Sequence, residues 1–271
     1  METYSVLMPV YRLEKADYFR ASIASMLAQS VPTDDFVIVC DGPLTEELEQ
    51  VIEEAVKKDP GLFQIVCLKT NQGLGIALQK GLLSCKNDLV ARMDSDDISA
   101  PDRCRMQLEV FHSGKADIVG GNVEEFTDDI GHTSAMRKVP CTDEEIRRFA
   151  KRRNPFNHPS VMFRRSSVLQ AGGYRDCKGF EDYYLWARML QKGMTGHNID
   201  KTLVYMRASA GMYERRGSFS YALRALAARW RIHKTGFSGF WDFLISGGGQ
   251  LIMSAVPVRM RAYFYRRFLR R

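Results

Sequence analysis

Several signatures are missing from these 271 residues, and each absence removes a class of protein. The six cysteines (Cys40, Cys67, Cys85, Cys104, Cys141 and Cys177) form no CxxC pair and no zinc-type spacing with histidine, so neither a disulfide framework nor a structural zinc is expected. They read as reduced thiols of an intracellular protein. Neither GxGxxG nor GxxxxGK occurs, although Gly73 and Gly75 lie close together, which argues against a dinucleotide enzyme or a P-loop kinase. No basic stretch followed by an apolar run opens the chain, so no secretory signal is expected. No uninterrupted run of about 20 apolar residues occurs either: residues 237–258 have the length, but Asp242, Gly247 to Gly249, Gln250 and Pro257 break the continuity.

What is present suits a folded α/β protein. Hydrophobic residues make up 45% and charged residues 26%, ordinary for a globular chain long enough for one large domain with an appendage. The net charge is +7, and nearly all of it resides in the last thirteen residues, which hold six arginines and no acid. Basicity is therefore a property of the tail and points to surface binding by that tail.

Four apolar, β-branched runs, YSVLMPV, DFVIVCD, LFQIVCL and DLVARMD, begin at Tyr4, Asp35, Leu62 and Asp88. Helix-like stretches at 16–29, 45–58 and 73–84 separate them. In the second stretch Leu44, Leu48, Val51, Ile52 and Ala55 recur at helical spacing with acids opposite. This alternation predicts a Rossmann-like, mostly parallel sheet flanked by helices, with ligands outside the carboxyl ends of the strands. Pro9, Tyr11, Asp41, Gly42, Asn71, Asp94 and Asp96 fall at those ends. Later elements are expected as a helix to about His112, a strand over 116–126, a polar helix over 142–151, a strand over 158–163 and a helix from Glu181 to Gly193.

The strongest local signal is MDSDD, residues 93–97. Three carboxylates within four residues repel unless a cation or solvent compensates them, and hard oxygen ligands suit Mg2+ or Mn2+ on a diphosphate. A solvated acidic turn is the alternative for an isolated DxD; placement after a buried strand favours the metal. Asp41-Gly42 is also an ordinary turn dipeptide, and Asn71 also suits a helix N-cap. Glu181 and Asp182 also fit as simple acidic decoration of a helix start.

Taken in order, SVLMPVYR, VIVCDG, NQGLGIALQKGL, ARMDSDD and GFEDYYLW resemble the signature of glycosyltransferase family 2, of the bacterial surface-polysaccharide type, over about residues 3–216. The resemblance implies a GT-A fold with residues 1–217 as the catalytic domain. Residues 1–100 would form the nucleotide-sugar half, 101–217 the acceptor half, and 218–271 a helical, amphipathic, membrane-associating extension.

The resemblance further implies that Pro9, Val10 and Tyr11 border the base. Asp41 would hold uracil or ribose, Asn71, Gly73 and Arg92 would lie along the nucleotide, Asp94 and Ser95 would contact the donor, and Asp96 would contact Mn2+ or Mg2+. Asp182 would be the general base, assisted by Glu181. His158 and Arg207, Arg215 and Arg216 are candidates for phosphate or acceptor contact, with a structural histidine as the equal alternative at 158. Relatives that place a metal-binding histidine near 207–217 differ here, which leaves the third metal contact open.

The implied reaction is inverting transfer of one hexose from a UDP-sugar to a lipid-linked saccharide acceptor in O-antigen, capsule or exopolysaccharide synthesis. Processive relatives carry QxxRW; here Arg229 and Trp230 are present but position 226 is Leu226, so transfer of a single sugar is expected. The tail, with Tyr263, Phe264, Tyr265 and Phe268 among its arginines, suits an anionic membrane surface. This places the protein in the cytoplasm, bound peripherally to the inner face of the membrane. Two other readings stay open. One is a nucleic-acid-binding protein using the Arg/aromatic tail, against which the acidic DSDD cleft counts, so no nucleic acid is expected as partner. The other is a nucleotidyltransferase, for which no triphosphate loop stands near the first strand.

Overall fold

A computed structural model describes residues 3–114, 116–127, 130–208 and 219–255. Nine strands make one sheet in the order β3-β2-β1-β4-β8-β6-β9-β5, with β7 paired to β6. The first half supplies β1 (Tyr4–Val10), β2 (Asp35–Cys40), β3 (Phe63–Cys67) and β4 (Leu89–Arg92), all parallel. Between them run α1 (Ala16–Leu27), α2 (Glu46–Lys58) and α3 (Leu74–Ser84), as the alternation predicts.

β5 (Ile98–Ser99), α4 (Arg103–His112), β6 (Ile118–Phe126), β7 (Thr133–Arg137) and α5 (Asp143–Ala150) follow. After them come β8 (Met162–Arg164), α6 (Arg165–Gln170), α7 (Glu181–Gln191) and the long β9 (Gly196–Arg207). β8 runs antiparallel to both β4 and β6, so strand direction reverses beside β4. The sheet continues without a break through the predicted nucleotide-sugar and acceptor halves. α8 (Phe219–Lys234) and α9 (Phe240–Ala255) form a helical pair on its flank.

Strand alternation divides the core in two. Val6, Met8 and Val10 of β1 face α1, α2 and α4, where Phe19, Ile23, Leu48, Val51, Ile52 and Leu108 are buried. Leu7, Val37 and Val39 face the other way, toward Leu78 and Leu82 of α3 and Leu185, Trp186 and Leu190 of α7. α3 approaches closely because Gly81 has no side chain: a Cβ there would lie 2.4 Å from Leu7 Cδ1 and Val39 Cγ2.

Two sequence expectations need correction. Residues 158–160 form a 3-10 turn, not the start of a strand, and the strand proper is limited to Met162–Arg164. Pro159 at the second position of that turn has no N–H to give to a ladder, and Ser160 Oγ is occupied by Asn157 O and Gly121 O. Asn71 is not the cap of α3: Gly73 takes that place, with φ of 91°, while the Asn71 amide donates to Asp41 O at 3.2 Å.

Candidate active site

The cleft begins where β1 outruns β4. Met93 N–H donates to Leu7 O, the last link on that side, while Asp41 N–H bonds Val10 O on the β2 side. Main-chain groups of alternate residues face opposite neighbours, so Pro9, in phase with Leu7, turns its nitrogen toward the side where β4 has ended. A proline in a central strand costs nothing there, because no acceptor remains to be satisfied. Beyond it Tyr11 stands exposed.

The chain leaving β4 builds the acidic turn. Carboxylate oxygens of Asp94, Asp96 and Asp97 lie within 4.8 Å of one another, a spacing and donor set that fit one hard divalent cation. Arg92, 1% exposed, grips Asp94 with both terminal nitrogens in a fork, and its Nε has no partner among the described residues. Buried in this way, Arg92 presents to the cleft the Asp94 carboxylate that it holds. Below it Arg103, fully buried, donates to Arg92 O and to Val161 O, which also accepts from Arg92 N–H where β4 meets its antiparallel neighbour.

Burial, then the neighbouring charges of Asp94 and Glu14, push the Asp96 carboxyl up to about 7. Asp97 is raised well above the usual carboxylate range by burial and by Asp96 and Asp94. This crowding is what a divalent cation would relieve.

Glu14 is a residue that motif reading missed. It comes from the loop after β1, accepts a hydrogen bond from Ser95 Oγ at 3.0 Å, and adds a fourth carboxylate beside the turn. Arg207, at the end of β9, closes the far side. Its N–H donates to Asp97 Oδ1 at 2.8 Å and its Nε to Asp96 O at 3.2 Å, and its guanidinium lies 3.8 Å from the Tyr18 ring centroid and 4.5 Å from that of Phe126. In this arrangement Arg207 braces the acidic turn. Arg215, Arg216 and the rest of 209–218 lie outside the described residues, as does the arginine-rich tail.

Asp41 and the chain before α3 form the adjoining wall. Asp41 Oδ1 accepts from Gln72 N–H at 2.7 Å and Oδ2 from Gly73 N–H at 2.9 Å, so this side chain serves the helix start that Gly73 cannot cap itself. The approach requires glycine at 42: φ is 88°, and a Cβ there would lie 2.6 Å from Asn71 N.

The second acid pair opens α7. Glu181 Oε2 accepts from Gly179 N–H at 2.7 Å, and Asp182 Oδ2 accepts from Asn154 Nδ2 at 2.6 Å. Both acids occupy the first turn, where the helix dipole favours negative charge. Burial nevertheless raises both carboxyls, Glu181 further through Asp182, while the Asn154 bond draws Asp182 down. In the sequence Asn154 stands before Pro155, a pairing that marks a helix end and gives no sign of Asp182.

One cation links the two acid groups: the buried Arg92 guanidinium forks Asp94 directly and acts more weakly, through space, on Asp96, Asp97 and Asp182. Between them His158 Nε2 meets Tyr174 Oη at 3.0 Å, and burial, with Arg92 nearby, holds this imidazole well below its ordinary pKa and therefore neutral. α3 and α7 meet at their starts, where a Cβ on Gly75 would lie 3.2 Å from Glu181 Cβ. Gly73, Glu181 and Asp182 thus stand at neighbouring helix beginnings, with Asp41, at the end of β2, bonded to the first of them. A separate groove of about 470 Å3 near Pro140, Cys141 and Phe149 contains none of these residues.

The chain is 36% identical over 277 residues to an uncharacterised glycosyltransferase of Haemophilus influenzae, with 99% of each chain covered. It is 34% identical over 273 residues to a UDP-Gal:alpha-D-GlcNAc-diphosphoundecaprenol beta-1,3-galactosyltransferase of Escherichia coli, covering 99% of this chain and 97% of the relative. In fold it resembles a mannosyltransferase from Pyrobaculum calidifontis solved with GDP-Man and Mn2+, at a TM-score of 0.65, 14% identity, and coverage of 96% and 78% of the two chains. The family model for glycosyl transferase family 2 matches residues 5–173, a span that contains the acidic turn, Asp41 and His158. With a GT-A architecture and that match over more than half its length, the chain belongs to glycosyltransferase family 2.

Proposed function

We propose that the protein transfers one hexose from a UDP-sugar, UDP-galactose or UDP-glucose, to a lipid-linked saccharide in bacterial O-antigen, capsule or exopolysaccharide synthesis, with inversion at the anomeric carbon. The observation that carries this reading is that Asp94, Asp96 and Asp97 bring carboxylate oxygens within 4.8 Å of one another, while Asp182 feels the same buried guanidinium, Arg92, that forks Asp94. A donor diphosphate at the first three and an acceptor hydroxyl at the fourth would then lie in one cleft. The E. coli relative, whose name gives UDP-Gal as donor and a diphosphoundecaprenol-linked GlcNAc as acceptor, supports both assignments.

Asp94, Asp96 and Asp97 would hold Mn2+ or Mg2+, which supplies positive charge to the departing diphosphate. Arg92 keeps Asp94 aimed into the cleft, and Glu14 holds Ser95. Tyr11, exposed beyond β1, offers a face to the uracil ring, and Asp41 retains lone pairs for uracil or ribose beside the two amides it already serves. Asn154 orients Asp182, which takes the proton of the acceptor hydroxyl as the new C1–O bond forms and the bond from C1 to the diphosphate oxygen breaks, releasing UDP. Attack from the face opposite the leaving group inverts the anomeric carbon. Glu181, tied to Gly179 N–H, fixes the start of α7 beneath the base. The neutral His158 stands ready to hydrogen-bond donor or acceptor but carries no charge for a phosphate.

The basic extension fits a lipid-borne acceptor, since it would hold the enzyme at the inner face of the membrane. Among the described residues no helix is long and apolar enough to cross a bilayer. The test is a panel of nucleotide sugars with Mn2+ and a synthetic lipid-diphosphate-GlcNAc acceptor, run beside Asp96→Ala and Asp182→Asn. Transfer from a UDP-hexose that both variants abolish supports the reading; near-normal transfer by Asp182→Asn, or release of pyrophosphate from UTP, overturns it.

A further inference from the structure

The helical pair α8 and α9 has two unlike sides. Inward, Ile232 packs on Tyr183 and Ala187 of α7, Ala222, Ala225 and Ala228 are buried, and Gly247 lies so close to Leu226 that a Cβ would come within 2.8 Å. Outward, Phe240, Trp241, Leu244 and Ile245 are exposed, Trp241 by 72%. The pairs 240/244 and 241/245 are one helical turn apart, so the four form a single face. Leu223 and Trp230 of α8 are exposed as well, and rings run in contact from Trp230 through Phe243 and Phe240 to Trp241, with centroids 5.3, 6.4 and 6.2 Å apart. An apolar patch of this continuity on a soluble surface marks a docking site.

Charge selects the occupant. Arg224, Arg231 and Lys234 are exposed on α8, the one acid of α9, Asp242, is paired to Arg152 at 2.7 Å, and six further arginines follow in the sequence from 259. A second copy would bring the same cations against themselves; an anionic lipid surface complements them. Indole and phenyl rings among cations suit headgroup depth.

The hairpin is also fastened to the acceptor side of the catalytic domain. Asp242, next to Trp241, holds Arg152, two residues from the Asn154 that holds Asp182. We propose that Phe240, Trp241, Leu244 and Ile245, with Leu223 and Trp230, seat the protein on an anionic bilayer and so fix the position of Asp182 relative to it. This rests on the membrane-bound acceptor of the reading above and adds the surface that meets the lipid.

The experiment uses the full chain with the substitutions Trp241→Ser and Ile245→Ser together, both at exposed positions, and circular dichroism to verify the fold. With vesicles of phosphatidylglycerol and phosphatidylcholine, the variant should partition about tenfold less than the wild type and lose part of the blue shift in tryptophan emission. KM for a polyprenyl-linked acceptor in those vesicles should rise, with kcat/KM for a short-chain, water-soluble acceptor unchanged. If wild type partitions and the variant matches it, this face is not the seat, while the membrane reading stands. If wild type does not partition, both fall, and if light scattering shows a wild-type dimer that the substitutions dissociate, the face belongs to a second copy. Neither result touches the transferase reading, which the soluble acceptor reports separately.

Discussion

Ser95 Oγ donates to Glu14 Oε2 across 3.0 Å, and this bond joins the loop after β1 to the acidic turn after β4, 81 residues later. The loop after β1 and the acidic turn are therefore not independent. Removing the carboxylate in Glu14→Ala should lower kcat/KM for the nucleotide sugar about tenfold, the range for a hydrogen bond to a charged group. Glu14→Gln, which keeps an acceptor oxygen, should restore part of the loss. Steady-state kinetics with the donor varied at saturating Mn2+ checks both.

Asp182→Asn should reduce kcat by roughly 10^2 to 10^4, the range for loss of a general base, with donor affinity by calorimetry unchanged. Since burial raises the Asp182 carboxyl, activity should fall with decreasing pH at a midpoint above the ordinary aspartate value of about 3.9. Asn154 bonds the charged form, so Asn154→Ala should move that limb to still higher pH; a pH–rate profile with an unmoved acid limb would sink the assignment.

Stability without metal should depend on pH in an unusual direction. Asp96, Asp97, Glu181 and Asp182 all have raised carboxyls in the folded chain, Asp96 at about 7. The folded chain thus holds protons that the unfolded chain has released. Their stabilising contribution is complete below the unfolded carboxylate value of about 4 and is lost as pH rises through the folded values. Tm in EDTA should increase as pH is lowered from about 8 to about 5.5, and Mn2+ at the higher pH should restore it by binding the folded form alone. Thermal melts at several pH values, with and without the cation, decide this.

Arg92→Lys should destabilise the protein by about 3 kcal/mol, since a lysine cannot reproduce the two-pronged grip and leaves Asp94 poorly compensated. Urea denaturation measures the change. Loss of Mn2+ affinity at a temperature where the variant remains folded would separate the effect on the turn from the effect on the fold.

Gly42→Ala meets both an unfavourable φ of 88° and a 2.6 Å approach to Asn71 N. A cost of about 2 kcal/mol is expected, together with weaker donor binding as the Asp41 wall is pushed away from α3. A fluorescence titration with UDP and a melt on the same sample check the two effects.

Much of the first half could be read from the sequence because it is local. Three buried strands and the edge strand β3 announce themselves as β-branched runs, α2 shows one apolar face, and the ends of β2 and β4 carry Asp41 and the DSDD turn. What escaped is long-range or buried against its type. Glu14 and Asn154 become meaningful only through Ser95 and Asp182, 81 and 28 residues away. Arg103 and Gln107 look like the solvated face of a helix, yet both are fully buried, satisfying carbonyls where strand direction changes. The misread segment at 158–160 borrowed its strand character from Val161, Met162 and Phe163 that follow, and Pro159 signalled that it would not pair.

The Asp41 carboxylate grips main-chain amides at 72 and 73. Position 72 is therefore chemically permissive: any residue that keeps its amide hydrogen preserves the clasp, and proline alone would undo it. The side chain at 72 can change while the wall is retained, so any redesign of what the wall holds would have to alter the path of this loop and not the lettering along it.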